Sequence, residues 1–246
     1  MDEELTRTLK SLRLWGLLAH WDEYLALAEQ KGFSHGRLLR HVVAEESRVH
    51  AENARKLRLR RARIPEPWLM ETFPFDRQPR LDKKKILSLY DAFDFLAKKQ
   101  NLIWVGPTGS GKTGLASGFL MQAIERGHTG RFVTFPDLVA ELFRSAADHS
   151  EEEVLRRYFS YDCLLIDEIG YVEAEPVQVG LFFTLLHRRH RRKSTLITSN
   201  LGFSEWRSFL KNDHLTAALI DRLTENSHVI NMKHCLSLRP KLASDS

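Results

Sequence analysis

Residues 106–113 read Gly-Pro-Thr-Gly-Ser-Gly-Lys-Thr and follow directly on the apolar run at 102–105. Glycines let successive backbone N–H groups converge on an anion without interference from a Cβ. A helix beginning just beyond them would add its positive end. The lysine can reach the outer phosphates of a nucleotide, and the threonine hydroxyl is a hard oxygen suited to a divalent cation. This is the P-loop pattern at every fixed position. It marks Gly106, Pro107, Thr108, Gly109, Ser110, Gly111, Lys112, Thr113 and the adjoining Gly114 as contacts for a polyphosphate.

A second constellation lies about fifty residues on, where the apolar run 163–166 ends in Asp167-Glu168. A strand there would carry Asp167 to the carboxyl edge of a sheet, to hold Mg²⁺ beside Thr113, and would place Glu168 to polarise an attacking water. Two adjacent acids suit a hydrolase better than a nucleotide-binding switch. A later run, 195–199, ends at Asn200. An amide beyond a strand terminus lines the ligand crevice of an open α/β sheet. Asn200 then orients the water or senses the γ-phosphate, or else it caps a turn.

These residues need a scaffold, and the pattern supplies one. Short apolar runs at 102–105, 131–135, 162–166, 195–199 and 228–232 alternate with helical stretches, which predicts a parallel sheet covered on both faces. Ahead of it, residues 5–63 read as helices: Leu9, Leu12, Leu17, Leu18, Trp21 and Leu25 recur at helical spacing, Lys31-Gly32 interrupts, and Ser34 caps a second run over 35–62. Four prolines in 63–79 exclude a continuous helix, so that stretch reads as a linker and an extended entry into the sheet domain. The expected domains are 1–66 and 67–246. No apolar run is long enough to cross a bilayer, and the polar N-terminus is no secretory signal, so the expected location is the cytoplasm, with no membrane partner. Cys163 and Cys235 sit in apolar surroundings without metal-ligand spacing and read as reduced core residues.

The net charge of +5 is unevenly spread. Residues 34–63 carry nine Lys/Arg against three Asp/Glu, so the rest of the chain is near neutral. Arg55, Lys56, Arg58, Arg60, Arg61 and Arg63 fall within nine residues, and on a helix Lys56, Arg60 and Arg63 would share a face. Such a face would contact DNA phosphates without reading sequence; a solvated face or an acidic partner explains it equally. A second basic run, 187–193, closes a helix, where the dipole alone favours cations.

Taken together, GPTGSGKT (106–113), LLIDEIGYV (164–172), LITSNLGFSEW (196–206) and AALIDRLTENSHVI (217–230) resemble the IstB-type transposition helper ATPases, relatives of the DnaC helicase loaders in the AAA+ superfamily. The likeness extends into the arginine-rich helix, the proline-rich stretch and QPRLD (78–82). It implies an α/β P-loop NTPase of the AAA+/ASCE type, a three-layer sandwich with a five-stranded parallel sheet, preceded by a small helical domain. It makes Lys112 and Thr113 the Walker A contacts, Asp167 and Glu168 the Walker B pair and Asn200 sensor 1. Arg222 becomes an arginine finger offered to a neighbouring subunit, where spacing alone allows an ordinary Asp–Arg surface pair. The sequence departs from the family at 232–239, Met-Lys-His-Cys-Leu-Ser-Leu-Arg, where Arg239 is the counterpart of a sensor 2 arginine.

The implied activity is DNA-stimulated hydrolysis of ATP with Mg²⁺, by a homo-oligomer that forms through the ATP interface on double-stranded DNA. It would assist a separately encoded, IstA-type transposase. The alternative is a DnaC-like loader that grips a replicative helicase and binds single-stranded DNA. The arginine-rich helix and the extended helical N-terminus favour the first.

Overall fold

Asp2 accepts the Leu5 N–H and starts α1 (Glu3–Ser11); α2 (Trp15–Lys31) and α3 (His35–Ala62) follow. The computed structural model describes residues 1–239. The chain divides into two units, Met1–Arg58 and a second beginning at Leu59, so the division falls inside α3. Gly32 ends α2 in the left-handed region at φ 58°, and Ser34 Oγ accepts the Arg37 N–H at 3.3 Å, as the sequence predicts. The break between α1 and α2 was not legible from the leucine spacing. It arises because Arg13 turns left-handed at φ 58° and its N–H closes back on the Lys10 carbonyl. No side chain of its own caps the start of α2; instead Glu46 of α3 accepts the Leu17 N–H at 2.8 Å. Gly16 makes room for that carboxylate, since a Cβ there would lie 2.7 Å from its Oε2.

The second unit is built on five parallel strands: β1 (Asn101–Val105), β2 (Gly130–Thr134), β3 (Cys163–Ile169), β4 (Ser194–Ser199) and β5 (Ser227–Asn231). Each begins within one residue of its expected position. Their order is β2-β3-β4-β1-β5. β4 therefore runs between the strand that feeds the glycine turn and the strand that ends in Asp167-Glu168. Connecting them are α4 (Lys83–Ala92), α5 (Lys112–Glu125), α6 (Phe135–Ala147), α7 (Glu151–Ser160), α8 (Pro176–Arg189), α9 (Trp206–Leu210) and α10 (Asp213–Thr224).

Alternate strand residues face two cores, as the pleat requires. Ile103, Leu164, Ile166 and Ile197 join Leu138, Phe182 and Leu219 of α6, α8 and α10 on one side. Leu102, Trp104, Leu165 and Leu196 join Leu115 and Phe119 of α5 on the other. Fully burying side chains of this size contributes roughly 1.5–3 kcal/mol each, which fixes the strand register and hence which residues emerge at the carboxyl edge.

The proline-rich stretch is more than a linker. It makes two short 3-10 turns, Met70–Thr72 and Phe75–Arg77, and buries Met70, Phe73, Phe75 and Leu81 in the α5-side core. Proline prevents a helix there, but the apolar side chains between the prolines still need cover. The segment accordingly forms a strap across α5.

Candidate nucleotide site

The glycine turn leaves β1 and hands over to α5 at Lys112. Gly109 and Gly111 take left-handed φ values of 80° and 95°. Both are also crowded: a Cβ on Gly111 would lie 2.7 Å from the Phe73 ring, and one on Gly109 would lie 2.6 Å from Ser237 Oγ. Glycine therefore meets two demands at once, a turn that exposes backbone N–H groups and close cover from the strap and the tail. The tail at 232–239 runs alongside, with the Leu238 N–H donating to Gly109 O at 2.8 Å. Gln78 ties the tail to the turn. Its Nε2 donates to Ser110 O at 3.1 Å and Leu236 O at 2.7 Å, and its Oε1 accepts the Leu236 N–H at 2.9 Å.

Lys112 is buried and donates to Gly106 O and Pro107 O, both at 2.8 Å. Burial pulls its ammonium below the ordinary lysine range, and Asp167 opposes that pull. Thr113 Oγ1 donates to Asp167 Oδ1 at 3.0 Å. Two hard oxygens side by side are the partial donor set that Mg²⁺ takes when phosphates and water complete its octahedron. Among the described residues no group of three or more His, Cys, Asp or Glu forms a cage, which fits that mode of binding. Burial raises the Asp167 carboxyl, and its hydrogen bonds with Thr198 and Thr113 act against the rise.

Glu168 follows in a left-handed conformation at φ 62°, where the β3–β4 pairing skips between Ile166 and Ile169. A bulge of this kind re-aims a side chain at a strand end, at a backbone cost of about 1–3 kcal/mol for a non-glycine residue. Thr198 of β4 braces the distortion: its Oγ1 accepts the Glu168 N–H at 3.0 Å and donates to Asp167 Oδ1. Burial and the adjacent Asp167 raise the Glu168 carboxyl, while Arg239 and Lys112 pull it down. Sequence reasoning missed Thr198, although its position two residues before Asn200 on the central strand was a usable signal.

Asn200 lies at the end of β4 with a buried Oδ1 that has no hydrogen-bond partner. It lines one recess together with Lys112, Thr113, Glu168, Thr198 and Arg239. All of these thus converge within one chain. Tyr171 also reaches the recess, its hydroxyl 3.4 Å from Thr108 Oγ1. Strap and turn share an adjoining cavity of about 510 Å³, which Lys112, Asp167, Glu168 and Arg239 line as well.

Arg222 lies elsewhere, on α10. Its Nε donates to His187 Nδ1 at 3.1 Å, a second guanidinium nitrogen donates to Ala218 O at 2.9 Å, and the group sits 4.9 Å from the centre of the Phe183 ring.

The basic residues of α3 separate. Arg55 and Lys56 both approach Glu52, at 3.2 and 3.8 Å. Arg58 is half-buried, whereas Arg60 and Arg61 are exposed. Arg63 corrects the expected stripe: α3 ends at Ala62, and Arg63 turns left-handed at φ 54° ahead of Ile64-Pro65, so it leaves the face of Lys56 and Arg60. A residue before proline resists the helical region, which forces the stop. Arg63 lines instead a cleft of about 700 Å³ beside Arg131, Asp137 and Glu141. The second basic run is structural. Arg189 is fully buried and donates to the carbonyls of Tyr158, Tyr161 and Ser194, while Arg188 pairs with Glu152 and Lys193 with Asp162.

The family described as IstB-like ATP binding protein matches residues 7–246. The chain belongs to this family. Among its relatives, a Pseudomonas aeruginosa protein named for insertion sequence IS21 and for ATP binding is 31% identical over 94% of this chain and 86% of its own length. A Geobacillus stearothermophilus protein named for insertion sequence IS5376 is 30% identical over 95% and 92%. In fold, the second unit is that of AAA+ P-loop proteins. A DnaC helicase loader superposes with a TM-score of 0.53 at 22% identity, over 61% of this chain and 88% of that one. DnaA from Aquifex aeolicus superposes with 0.55 at 18%, over 67% and 50%. IstB membership thus agrees with the motifs at 106–113, 164–172 and 196–206. No helix among the described residues is long and apolar enough to cross a membrane.

Proposed function

We propose that this protein is a DNA-stimulated ATPase that oligomerises on duplex DNA and assists a separately encoded transposase of the IstA type. The observation that carries the reading is the convergence of Lys112, Thr113, Glu168, Asn200 and Arg239 on one recess at the carboxyl edge of the sheet. The recess occurs in a chain whose relatives are named for insertion sequences and ATP binding.

In this reading the N–H groups of 106–114 and Lys112 bind the triphosphate, and Thr113 with Asp167 would hold Mg²⁺, which supplies neutralisation of the β- and γ-phosphate charge. Glu168, its carboxyl raised but near solvent, accepts a proton from the attacking water. Asn200 positions that water with its orphan Oδ1. Arg239 acts within its own subunit as sensor 2. Arg222 is a finger delivered in trans, stabilising transition-state charge in a neighbour. Arg60 and Arg61 carry the phosphate contacts to DNA, with Arg55, Lys56 and Arg58 contributing along α3 and Arg63 at its end. The protein acts in the cytoplasm, and the helical domain over 1–66 is its DNA- and partner-binding part.

Calorimetry and phosphate release, with and without duplex DNA, test the core of this. Lys112→Ala should bind no ATP and show no turnover. Glu168→Gln should bind ATP and not hydrolyse it, trapping a DNA-bound oligomer. Wild-type turnover by either variant removes its residue from the mechanism. An ATP-dependent preference for single strands, together with capture of a replicative helicase, would favour the loader reading instead.

A further inference from the structure

Trp68 of the strap has no role in the phosphate chemistry, yet it lines the 510 Å³ cavity next to the glycine turn. It is placed there by the helix beneath it. A Cβ on Gly114 would come within 3.0 Å of the Trp68 ring, and one on Gly118 would lie 3.5 Å from Met70 Cε. Two glycines one turn apart on α5 thus let the strap settle against the helix that starts at Lys112. Between them, Ser117 lines the same cavity. Its hydroxyl is 1% exposed and has no hydrogen-bond partner. A buried orphan hydroxyl costs about 1–3 kcal/mol, and a helical serine ordinarily avoids that cost by bonding the carbonyl one turn back. Pro65 and Leu238 add apolar surface on the cavity wall. An aromatic surface, apolar walls and one buried polar group, continuous with a phosphate cradle, are what a flat heteroaromatic ring requires.

We infer that Trp68 and Ser117 form a nucleobase subsite, with Trp68 packing on the base and the Ser117 hydroxyl bonding to the nucleoside, so that the strap selects purine over pyrimidine nucleotides. The inference rests on the nucleotide-binding part of the proposed function and adds residues that determine specificity.

The purine preference follows from ring area, since the larger base covers more of the indole, and aromatic–base contacts are worth enough to change affinity about tenfold or more. Calorimetric titration with ATP, CTP and inorganic tripolyphosphate tests it. In the wild type, ATP should bind more tightly than CTP. Trp68→Leu keeps apolar bulk over Gly114 and should weaken ATP about tenfold, bring ATP and CTP together, and leave tripolyphosphate unchanged. Trp68→Phe should restore most of the preference. Ser117→Ala should raise the melting temperature of the nucleotide-free protein, because the orphan hydroxyl is gone, while weakening ATP several-fold. A purely structural serine would not move these two readouts in opposite directions. Lys112→Ala serves as the control, losing ATP and tripolyphosphate alike. Unchanged ATP-to-CTP ratios in Trp68→Leu would overturn the inference and leave the phosphate site standing; a wild type that binds neither nucleotide would overturn the reading on which it rests.

Discussion

Thr198 connects the two acids of the site. Its hydroxyl accepts from the Glu168 backbone and donates to Asp167, so one side chain supports both a left-handed backbone and a buried carboxylate. Thr198→Val keeps the shape and removes both bonds. Changes in groups that orient metal ligands typically cost about 10–100-fold in metal affinity or activity, so the variant should need correspondingly more Mg²⁺ for half-maximal turnover. ATP binding without the metal should change little. Phosphate release against Mg²⁺ concentration measures this, and a wild-type curve would remove Thr198 from the site. The raised Glu168 carboxyl makes a further statement about pH. A base must be ionised to accept a proton, so activity rises with pH through its folded-state pKa. Burial and Asp167 place that limb above the ordinary glutamate value of about 4.3. Linkage runs the other way for stability: a carboxyl raised by folding favours the native state while protonated, and that contribution fades as pH climbs from the unfolded value through the folded one. Glu168→Gln should therefore flatten the alkaline side of the stability profile slightly, as read by melting temperature against pH.

The elements that deliver these residues were largely legible. Strand starts fell where apolar runs began, because a strand buried on both faces has no choice of composition. The glycine turn, the acidic strand end and Asn200 followed from their positions after those strands. What could not be read were contacts between distant segments: Gln78 bridging turn and tail, Trp68 over Gly114, and the fate of the basic runs. Arg189 illustrates the last. On paper it belongs to a surface run, but it is buried against the chain reversals around β3 and β4, donating to three backbone carbonyls and to Thr195 Oγ1 at 3.1 Å. Burial lowers its pKa to about 10, still charged at neutral pH. Arg189→Leu strands those carbonyls, and charged hydrogen bonds contribute about 1.5–3 kcal/mol each. Loss of at least ~3 kcal/mol is expected in urea unfolding, while Arg188→Leu, which breaks only an exposed pair with Glu152, should lose less than ~1 kcal/mol. Comparable losses in the two would mean Arg189 is not a structural pin.

At the scale of the whole molecule, the division of the arginines sets the logic. Arg239 reaches the recess of its own chain, whereas Arg222 is held on α10 by His187 and Ala218 and lines none of the cavities around Lys112. An arginine that serves catalysis from there must serve another copy. The trans assignment predicts complementation. Arg222→Ala should bind ATP with wild-type affinity and lose nearly all turnover, because the finger contributes about 10³–10⁵-fold where it operates. Lys112→Ala lacks nucleotide but still presents an intact Arg222. Each is inactive alone, yet a mixture places wild-type Arg222 beside competent P-loops and should recover a substantial fraction of activity. The same mixture made with Arg239→Ala in place of Arg222→Ala should stay inactive, since a cis arginine cannot be lent by a neighbour. Activity in both mixtures, or in neither, would remove the distinction between the two arginines, and recovery that ignores protein concentration would remove the oligomer as well.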